Sequence, residues 1–394
     1  MSADLAPSKT TAFHDAGHHH TIVIGAGPAG LAVGACLKQA GIPCLILEQT
    51  DKVGAAWHRH YDRLHLHTGK AYSALPFVPF PKECPRYPSR LQVIGYLEAY
   101  AQQFQLELRF GQQVVATRFT NSLWEIQTQD THYQSFNLVI ATGYNREPYL
   151  PNWPGQTSFR GTLLHSSQYR NGEPFKNQKV LVVGFGNSGG EIAIDLWEHS
   201  AQPSLAIRSP VNVIPRELFG IPILAIGIVQ RRLSPRLADA LNAPILRAVV
   251  GDLTQYGLRQ LPRGPLTQIK RDARIPLIDV GTIKLIKRGQ ITVRPGIESF
   301  TEEGVIFTDG QQGRFDAVIL ATGYRPQVNA FLQGATAAYD EHGTPSSSGR
   351  ETPIPGLYFC GYFVSPTGML REIALEAHRI SAAIAQNCIG TADA

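Results

Sequence analysis

Two short glycine clusters carry most of the chemistry that this sequence declares. The first is Gly25-Ala26-Gly27-Pro28-Ala29-Gly30 and the second is Gly184-Phe185-Gly186-Asn187-Ser188-Gly189. Glycines at this spacing let a strand turn sharply into a helix, bring backbone N–H groups close to a pyrophosphate, and let helix and strand pack tightly. The residue that selects the nucleotide ends the next apolar run. After the first cluster it is Glu48, followed by Gln49; a carboxylate there suits a free ribose 2′-hydroxyl, as in the adenosine half of FAD. After the second it is Arg208, whose guanidinium suits a 2′-phosphate, as in NADPH. One such cluster is a weak signal. Two, with opposite charges at the matching position, predict two different dinucleotides.

The flanking elements fit that reading. Thr21–Ile24 is a short apolar run entering the first cluster, and Cys44–Leu47 is the run that leads to Glu48. Lys179–Val183 enters the second. A helical pattern follows it (Ile192, Ile194, Leu196, Trp197), and Ser204–Ile207 leads to Arg208. A second element also occurs twice. Ala141-Thr142-Gly143-Tyr144 follows the apolar strand Asn137–Ile140, and Ala321-Thr322-Gly323-Tyr324 follows Asp316–Leu320. Strand and turn recur together, which predicts an internal duplication with one domain inserted into the other.

The expected fold is α/β, with two Rossmann-like dinucleotide-binding domains, the second inserted in the first. Residues 1–17 are expected to be a flexible lead. Residues 18–166 and 325–394 form the FAD-binding domain, and 167–324 the inserted NADPH-binding domain. Within the latter, about 215–275 reads as an amphipathic helical insertion broken by prolines. Leu91–Phe104 has helical spacing. Leu106–Asp130 reads as a small antiparallel meander. A last strand ends at Gly361, and Met369–Gln386 is a closing helix with Leu370 on its apolar side. The start of that helix is expected to point at a phosphate or at the flavin pyrimidine.

Trp57 and the stretch His58–Lys70 are rich in aromatic and imidazole groups. They read either as a segment lying against a flavin ring or as buried aromatics with hydrogen-bonded histidines. Histidine titrates near neutrality, so His67, with Thr68, is a catalytic candidate; Asn187, at the head of the second nucleotide helix, is a third. His18-His19-His20 are expected to be a solvated strand entry rather than a metal site, because one strand cannot turn three adjacent side chains to one side.

Composition narrows the class. The chain has 394 residues, 43% hydrophobic and 17% charged, with a net charge of +5. That length calls for more than one domain. The charge is mild and no dense basic tract is present, so nucleic acid is not an expected partner. The five cysteines form no CxxC, which argues against a redox dithiol or a cysteine zinc site, and a reducing cytoplasm is the expected location. Leu218–Val229 is too short for a membrane span. With Arg231, Arg232 and Arg236 beside it, it remains a peripheral membrane candidate. A monomer or a homodimer is expected.

At Phe159, Gly161, His165 and Tyr169 the sequence resembles the flavin-containing monooxygenases. Their marker FxGxxxHxxxY stands immediately before the second glycine cluster. Tyr61-Asp62-Arg63-Leu64-His65-Leu66-His67, Tyr256-Gly257-Leu258-Arg259, Gly264-Pro265-Leu266, Asp279-Val280-Gly281 and Ala321–Arg325 resemble the YUCCA branch. The likeness covers nearly all of residues 20–390. Two departures stand out: His67-Thr68 occupies the place of the animal enzymes' asparagine, as in the YUCCA branch, and Ser365–Glu372 differs from that branch's usual loop. The resemblance implies that NADPH reduces FAD, that O2 adds at flavin C4a, and that the hydroperoxide passes oxygen to a small-molecule substrate. It further implies oxidative decarboxylation of a 2-oxo acid such as indole-3-pyruvate, with N- or S-oxygenation of a small amine or thioether as the alternative. An uncoupled NADPH oxidase or flavin redox partner protein is a third reading. His165 is expected either to link the domains or orient NADP, or to make a structural hydrogen bond.

Overall fold

The computed structural model describes residues 14–230 and 232–392. Strand β1 (His14–Ile24) enters the first glycine turn, helix α1 (Pro28–Gln39) leaves it, and β2 (Cys44–Leu47) returns parallel to β1. Proline opens α1, where its missing N–H has no intrahelical partner to lose. After α2 (Ala55–Arg59), helix α3 (Arg90–Gln103) starts on a capping box. The Ser89 hydroxyl accepts from Gln92 N, and the Gln92 side chain accepts from Ser89 N. Strands β3 (Glu107–Arg109), β4 (Ala116–Thr120), β5 (Leu123–Gln127) and β6 (Thr131–Ile140) give the sheet order β3-β2-β1-β6-β5-β4.

Two sequence expectations change here. His14–Gly17 of the expected lead belongs to β1 and pairs with β6 from Thr131 onward; residues 1–13 lie outside the described residues. The expected meander over Leu106–Asp130 also divides. β3 runs parallel to β2, because α3 provides a crossover long enough to bring the chain back in the same sense. The antiparallel meander is β4-β5-β6, and Asn137–Ile140 is the second half of β6.

The chain leaves this domain through β7 (Glu147–Pro148) and enters a second sheet. β8 (Thr162–His165), β9 (Lys179–Val183), helix α4 (Asn187–Glu198) and β10 (Gln202–Ala206) belong to it. The insertion follows: β11 (Val213–Pro215), the hairpin β12 (Glu217–Leu218) and β13 (Ile221–Pro222), α5 (Ile223–Gln230), α6 (Pro235–Val250), α7 (Pro265–Asp272), β14 (Leu277–Asp279) and α8 (Thr282–Lys287). So 215–275 is helical only in part. The N–H groups of Leu266 and Thr267 donate to the Asp239 carboxylate at 2.9 Å, which caps α7 from α6. β15 (Thr292–Arg294) rejoins the sheet. β16 (Ile297–Thr301), β17 (Gly304–Phe307) and β18 (Gln312–Arg314) form an antiparallel trio, and β19 (Ala317–Leu320) completes the parallel order β15-β10-β9-β19-β8.

β8 hydrogen-bonds along β19, so the expected boundary at 166/167 moves toward the N-terminus. His165 lies on β8 in the second sheet, and Phe159 packs against the core that Leu181 and Val183 face. The return path is β20 (Tyr324–Arg325), antiparallel to β7, then β21 (Leu357–Phe359) against β6, and α9 (Met369–Ala392) packed on α1. The central parallel strands of both sheets are buried on both faces, as such strands must be. Along β1, Val23 joins the core under α1, α3 and α9, while Ile22 and Ile24 join the opposite core. Along β9, Val180 and Val182 face one core, Leu181 and Val183 the other. Truncating any of these to alanine should cost about 2–4 kcal/mol.

Candidate functional site

The two glycine turns have the same geometry. Gly25 and Gly184 stand at φ +107° and +109°, the left-handed region that favours glycine. A Cβ on Gly25 would lie 2.7 Å from the Ala141 carbonyl oxygen, and one on Gly184 would lie 2.5 Å from that of Ala321. A Cβ on Gly30 would strike the Gly25 oxygen at 1.9 Å, and one on Gly189 the Gly184 oxygen at 2.2 Å. Gly27 and Gly186 face open space, the room a pyrophosphate needs over a helix N-terminus. The recurring Ala-Thr-Gly turns therefore back the glycine turns. Beyond them, the Thr142 hydroxyl bonds Tyr362 OH at 2.8 Å, and the Thr322 hydroxyl donates to the Tyr149 carbonyl.

The two selecting residues are held differently. Glu48 is buried; one of its oxygens accepts from Ala26 N at 2.8 Å and the other from the Thr50 backbone and hydroxyl at 3.0 and 2.9 Å. The carboxylate is thus fixed at the lip of the first turn. Arg208 is exposed just beyond β10. Its carbonyl accepts from Arg259 Nη2 at 2.7 Å, which brings a second guanidinium to the same edge.

A cavity of about 550 Å³ starts at the first turn. Gly25, Gly27, Pro28, Ala29, Glu48 and Gln49 line one end; Ala141, Thr142, Gly143 and Gly361 line its floor. It passes Trp57, His67 and Thr68, reaches Asn187 and Ser188 at the head of α4, and ends against α5, α6 and α7 with Met369 and Leu370. Gly30, Gly184, Gly186, Gly189, Arg208, His165, Ala321, Thr322 and Gly323 do not line it. Three segments close over it. A Cβ on Gly368 would lie 3.0 Å from both Thr68 Cγ2 and Leu224 Cδ1, and one on Gly227 would lie 3.3 Å from the Pro366 oxygen.

The catalytic candidates all hold protein partners. His67 Nε2 bonds Glu191 on α4, a buried carboxylate that also faces Arg63 at 3.8 Å. Arg63 in turn grips Glu198 through two hydrogen bonds of 2.9 and 3.0 Å. A buried carboxylate is costly without such partners. This cluster therefore ties the flavin-side loop to the NADPH-side helix. Thr68 shares a 2.6 Å hydroxyl contact with Ser73. The Asn187 side-chain oxygen accepts from Ile278 N at 2.8 Å, which ties the head of α4 to β14.

His165 is buried, and Ser167 N donates to its Nδ1 at 3.1 Å. The proton therefore sits on Nε2, which donates to the Gly323 carbonyl at 3.1 Å. Burial holds its pKa below the usual histidine value, opposed by that hydrogen bond. Both partners lie at the edge of its own domain, so the ring braces the second Ala-Thr-Gly turn. His60, which lines the cavity, is pushed down to about 4 by burial and by the nearby arginines 59 and 90. His18, His19 and His20 extend along β1; His19 packs near Tyr133 and His20 near Phe136.

Sequence reasoning missed Glu191, Arg63 and Arg259 as site residues, together with the apolar wall of α5–α7. Glu191 had a visible signal, being an acid one turn into α4 beside the apolar run Ile192–Ile194. Its partner His67, however, lies 124 positions away.

Fold and site define a flavoprotein oxidoreductase with two nucleotide sites. Residues 22–214 match the pyridine nucleotide-disulphide oxidoreductase family, although no CxxC is present. The chain is 40% identical to probable indole-3-pyruvate monooxygenase YUCCA1 of Arabidopsis thaliana over 87% of its length and 85% of the relative's. It is 40% identical to indole-3-pyruvate monooxygenase YUCCA1 of Oryza sativa subsp. japonica, over 86% of each. Among solved structures, flavin-containing monooxygenase from Stenotrophomonas maltophilia superposes with TM-score 0.73 at 22% identity, covering 94% of this chain and 99% of that one. Cyclohexanone monooxygenase from Rhodococcus sp. Phi1 bound to NADP+ gives 0.75 at 17% identity, covering 94% and 85%. The chain belongs to the YUCCA branch of the flavin-containing monooxygenases, NADPH-dependent enzymes that carry FAD. No helix among the described residues is long and apolar enough to cross a membrane.

Proposed function

We propose that this enzyme oxidatively decarboxylates a 2-oxo acid of the indole-3-pyruvate type. The observation that carries the reading is the single cavity joining the first nucleotide turn to the head of α4, in a chain 40% identical to enzymes named for that substrate. One 2-oxo acid, O2, NADPH and a proton give the shortened carboxylate, CO2, NADP+ and water. The bond between keto and carboxyl carbons breaks; one oxygen of O2 enters the new carboxylate and the other leaves as water. Bound FAD, reduced by NADPH, supplies the O2 activation.

The remaining work falls to this chain. The first turn and Glu48 hold the flavin nucleotide, and the second turn with Arg208 and Arg259 holds NADPH. The His67–Glu191–Arg63 cluster sets the flavin-side loop against α4, so that nicotinamide is presented in one orientation. Trp57, Leu370 and Met369 give an apolar wall, and the loops at 64–68 and 365–369 keep water out. Arg59 lines the cavity and forms no ion pair among the described residues, so it is the group we assign to the substrate carboxylate.

A second reading has its own observation. The wall formed by α5–α7 presents Leu224, Ile226, Leu246, Leu266 and Ile269 to the cavity, with no lysine or arginine of these helices among the residues that line it. That wall suits a neutral thioether or amine and its S- or N-oxygenation. Product analysis with NADPH, O2, indole-3-pyruvate and a small amine and thioether panel separates the two. Indole-3-acetate and CO2 in equal amounts to NADPH consumed support the first. Sulfoxide or N-oxide without indole-3-acetate replaces it with the second. Hydrogen peroxide equal to NADPH with every compound refutes both and leaves an NADPH oxidase.

A further inference from the structure

The insertion that walls the cavity turns a second apolar face outward. On α6, Leu237 and Leu241 are 51% and 56% exposed, and Ile245 and Val249 are exposed beside them. At 100° per residue, Leu237, Leu241, Pro244 and Ala248 fall within about 60° of one another. They are therefore a continuous outward strip. The opposite side of α6 is already used: Asn242 and Leu246 line the cavity, and Asp239 caps α7. The Gln230–Asn242 amide pair, with bonds of 3.0 and 2.8 Å, fixes the end of α5 beside the middle of α6. Val229 there is 82% exposed, and Phe219, at the tip of the β12–β13 hairpin, is 88% exposed. Soluble surfaces seldom leave so many large apolar groups uncovered within one short segment.

The charges on and between α5 and α6 are predominantly basic; of the two flanking acids, Glu217 is paired with Arg86 and Asp252 is exposed just past the end of α6, where it accepts from Thr254. Residues 218–251 contain four arginines and a single acid, Asp239. Asp239 is buried, with both oxygens bonded to α7. Arg236 and Arg247 are exposed along one edge of the outward face, and Arg232 is exposed between the helices. Lys287 adds an ammonium at the far end, where it donates to the Val250 carbonyl at 2.7 Å. This charge pattern decides between occupants. A second copy docked about a two-fold at Leu241–Asn242 would set Arg236 of one chain against Arg247 of the other, like charge on like charge. A membrane surface bearing anionic headgroups meets the arginines with opposite charge while its acyl boundary takes the leucines.

We propose that the outward strip of α6 is a membrane-docking face that selects anionic lipid. The test uses the FAD-loaded enzyme and sedimentation with vesicles. The vesicles are phosphatidylcholine alone or equal parts phosphatidylglycerol and phosphatidylcholine. Binding to the anionic vesicles, weakened by added salt, is expected. A Leu237→Asp/Leu241→Asp variant should partition at least about tenfold less, since two large apolar contacts are replaced by charges the surface repels. Unchanged NADPH oxidation by that variant shows that it is folded. Arg236→Gln/Arg247→Gln should retain weak binding and lose its salt dependence. No binding of the wild type to either vesicle overturns the proposal, as does equal binding by the Leu237→Asp/Leu241→Asp variant. It is overturned equally by light scattering that finds a lipid-free dimer which those aspartates dissociate.

Discussion

The assignment of the second nucleotide site to NADPH rests on Arg208, and Arg208→Ala tests it most directly. A hydrogen bond to a charged group contributes about 1.5–3 kcal/mol. Arg208 is exposed, and screening by solvent brings its contribution just below that range, to about 1.4 kcal/mol. That corresponds to a roughly tenfold rise in KM for NADPH. NADH lacks the 2′-phosphate and should be affected less than about twofold. The structure adds a second arm to the experiment. Arg259 reaches the Arg208 carbonyl at 2.7 Å, so its guanidinium remains at the same edge when Arg208 is removed. Arg259→Ala should therefore also weaken NADPH selectively. The double variant should depart from the sum of the singles, because both act on one phosphate. Steady-state oxidation of NADPH and NADH, with the bound flavin spectrum as a folding control, measures all three variants. Equal loss for NADPH and NADH, or no loss for either, refutes the 2′-phosphate assignment.

Two further outcomes follow from the same geometry. Gly30→Ala and Gly189→Ala force a Cβ to 1.9 and 2.2 Å of a carbonyl oxygen in their respective turns. Such overpacking costs about 1–3 kcal/mol or more. Gly30→Ala should purify with little FAD, whereas Gly189→Ala should keep its flavin and lose NADPH-driven flavin reduction; flavin loss from both alike would refute the division of labour. His60 offers a pH signature. Its folded pKa of about 4 lies below the unfolded value of about 6.5. Between those values the unfolded chain takes up a proton that the folded chain does not, so stability falls as pH drops from 6.5 toward 4. By pH 4 the loss from this group reaches about 3 kcal/mol. Urea midpoints at pH 7 and pH 5 should separate less in His60→Asn than in the wild type, and an unchanged separation would refute the burial argument.

Much of this architecture can be read from short-range pattern. Val23 between Ile22 and Ile24, and the run Val180–Val183, announce strands buried on both faces. The glycine clusters announce the turns between them, and Glu48 against Arg208 announces two nucleotides. What cannot be read is which distant segments meet. Thr162–His165 looks like a strand, but four residues do not say which sheet they join, so the domain boundary was misplaced. His67 invites a catalytic reading in isolation, and only folding brings Glu191 to its Nε2. Helix α6 is the plainest case. Its sequence is apolar on more than one side, and spacing alone does not identify the buried side. The Asp239 cap on α7 and the Asn242 bond to Gln230 decide that. The face left over on α6 carries the outward strip.

The β7–β20 pair has a consequence for how such enzymes can be rebuilt. Tyr324 lies opposite Pro148 and Arg325 opposite Glu147, so the two chain crossings between the domains are hydrogen-bonded neighbours. A segment whose ends already touch can be exchanged without stretching its host, because little loop-closure entropy separates one insert from another. The stretch from about 149 to 323 is thus a cassette. Grafted between relatives at this junction, it should carry pyridine-nucleotide preference and the α5–α7 wall with it, and leave behind the flavin site and the two loops that seal it. Substrate selection, drawn from both sides of the junction, should follow neither parent completely.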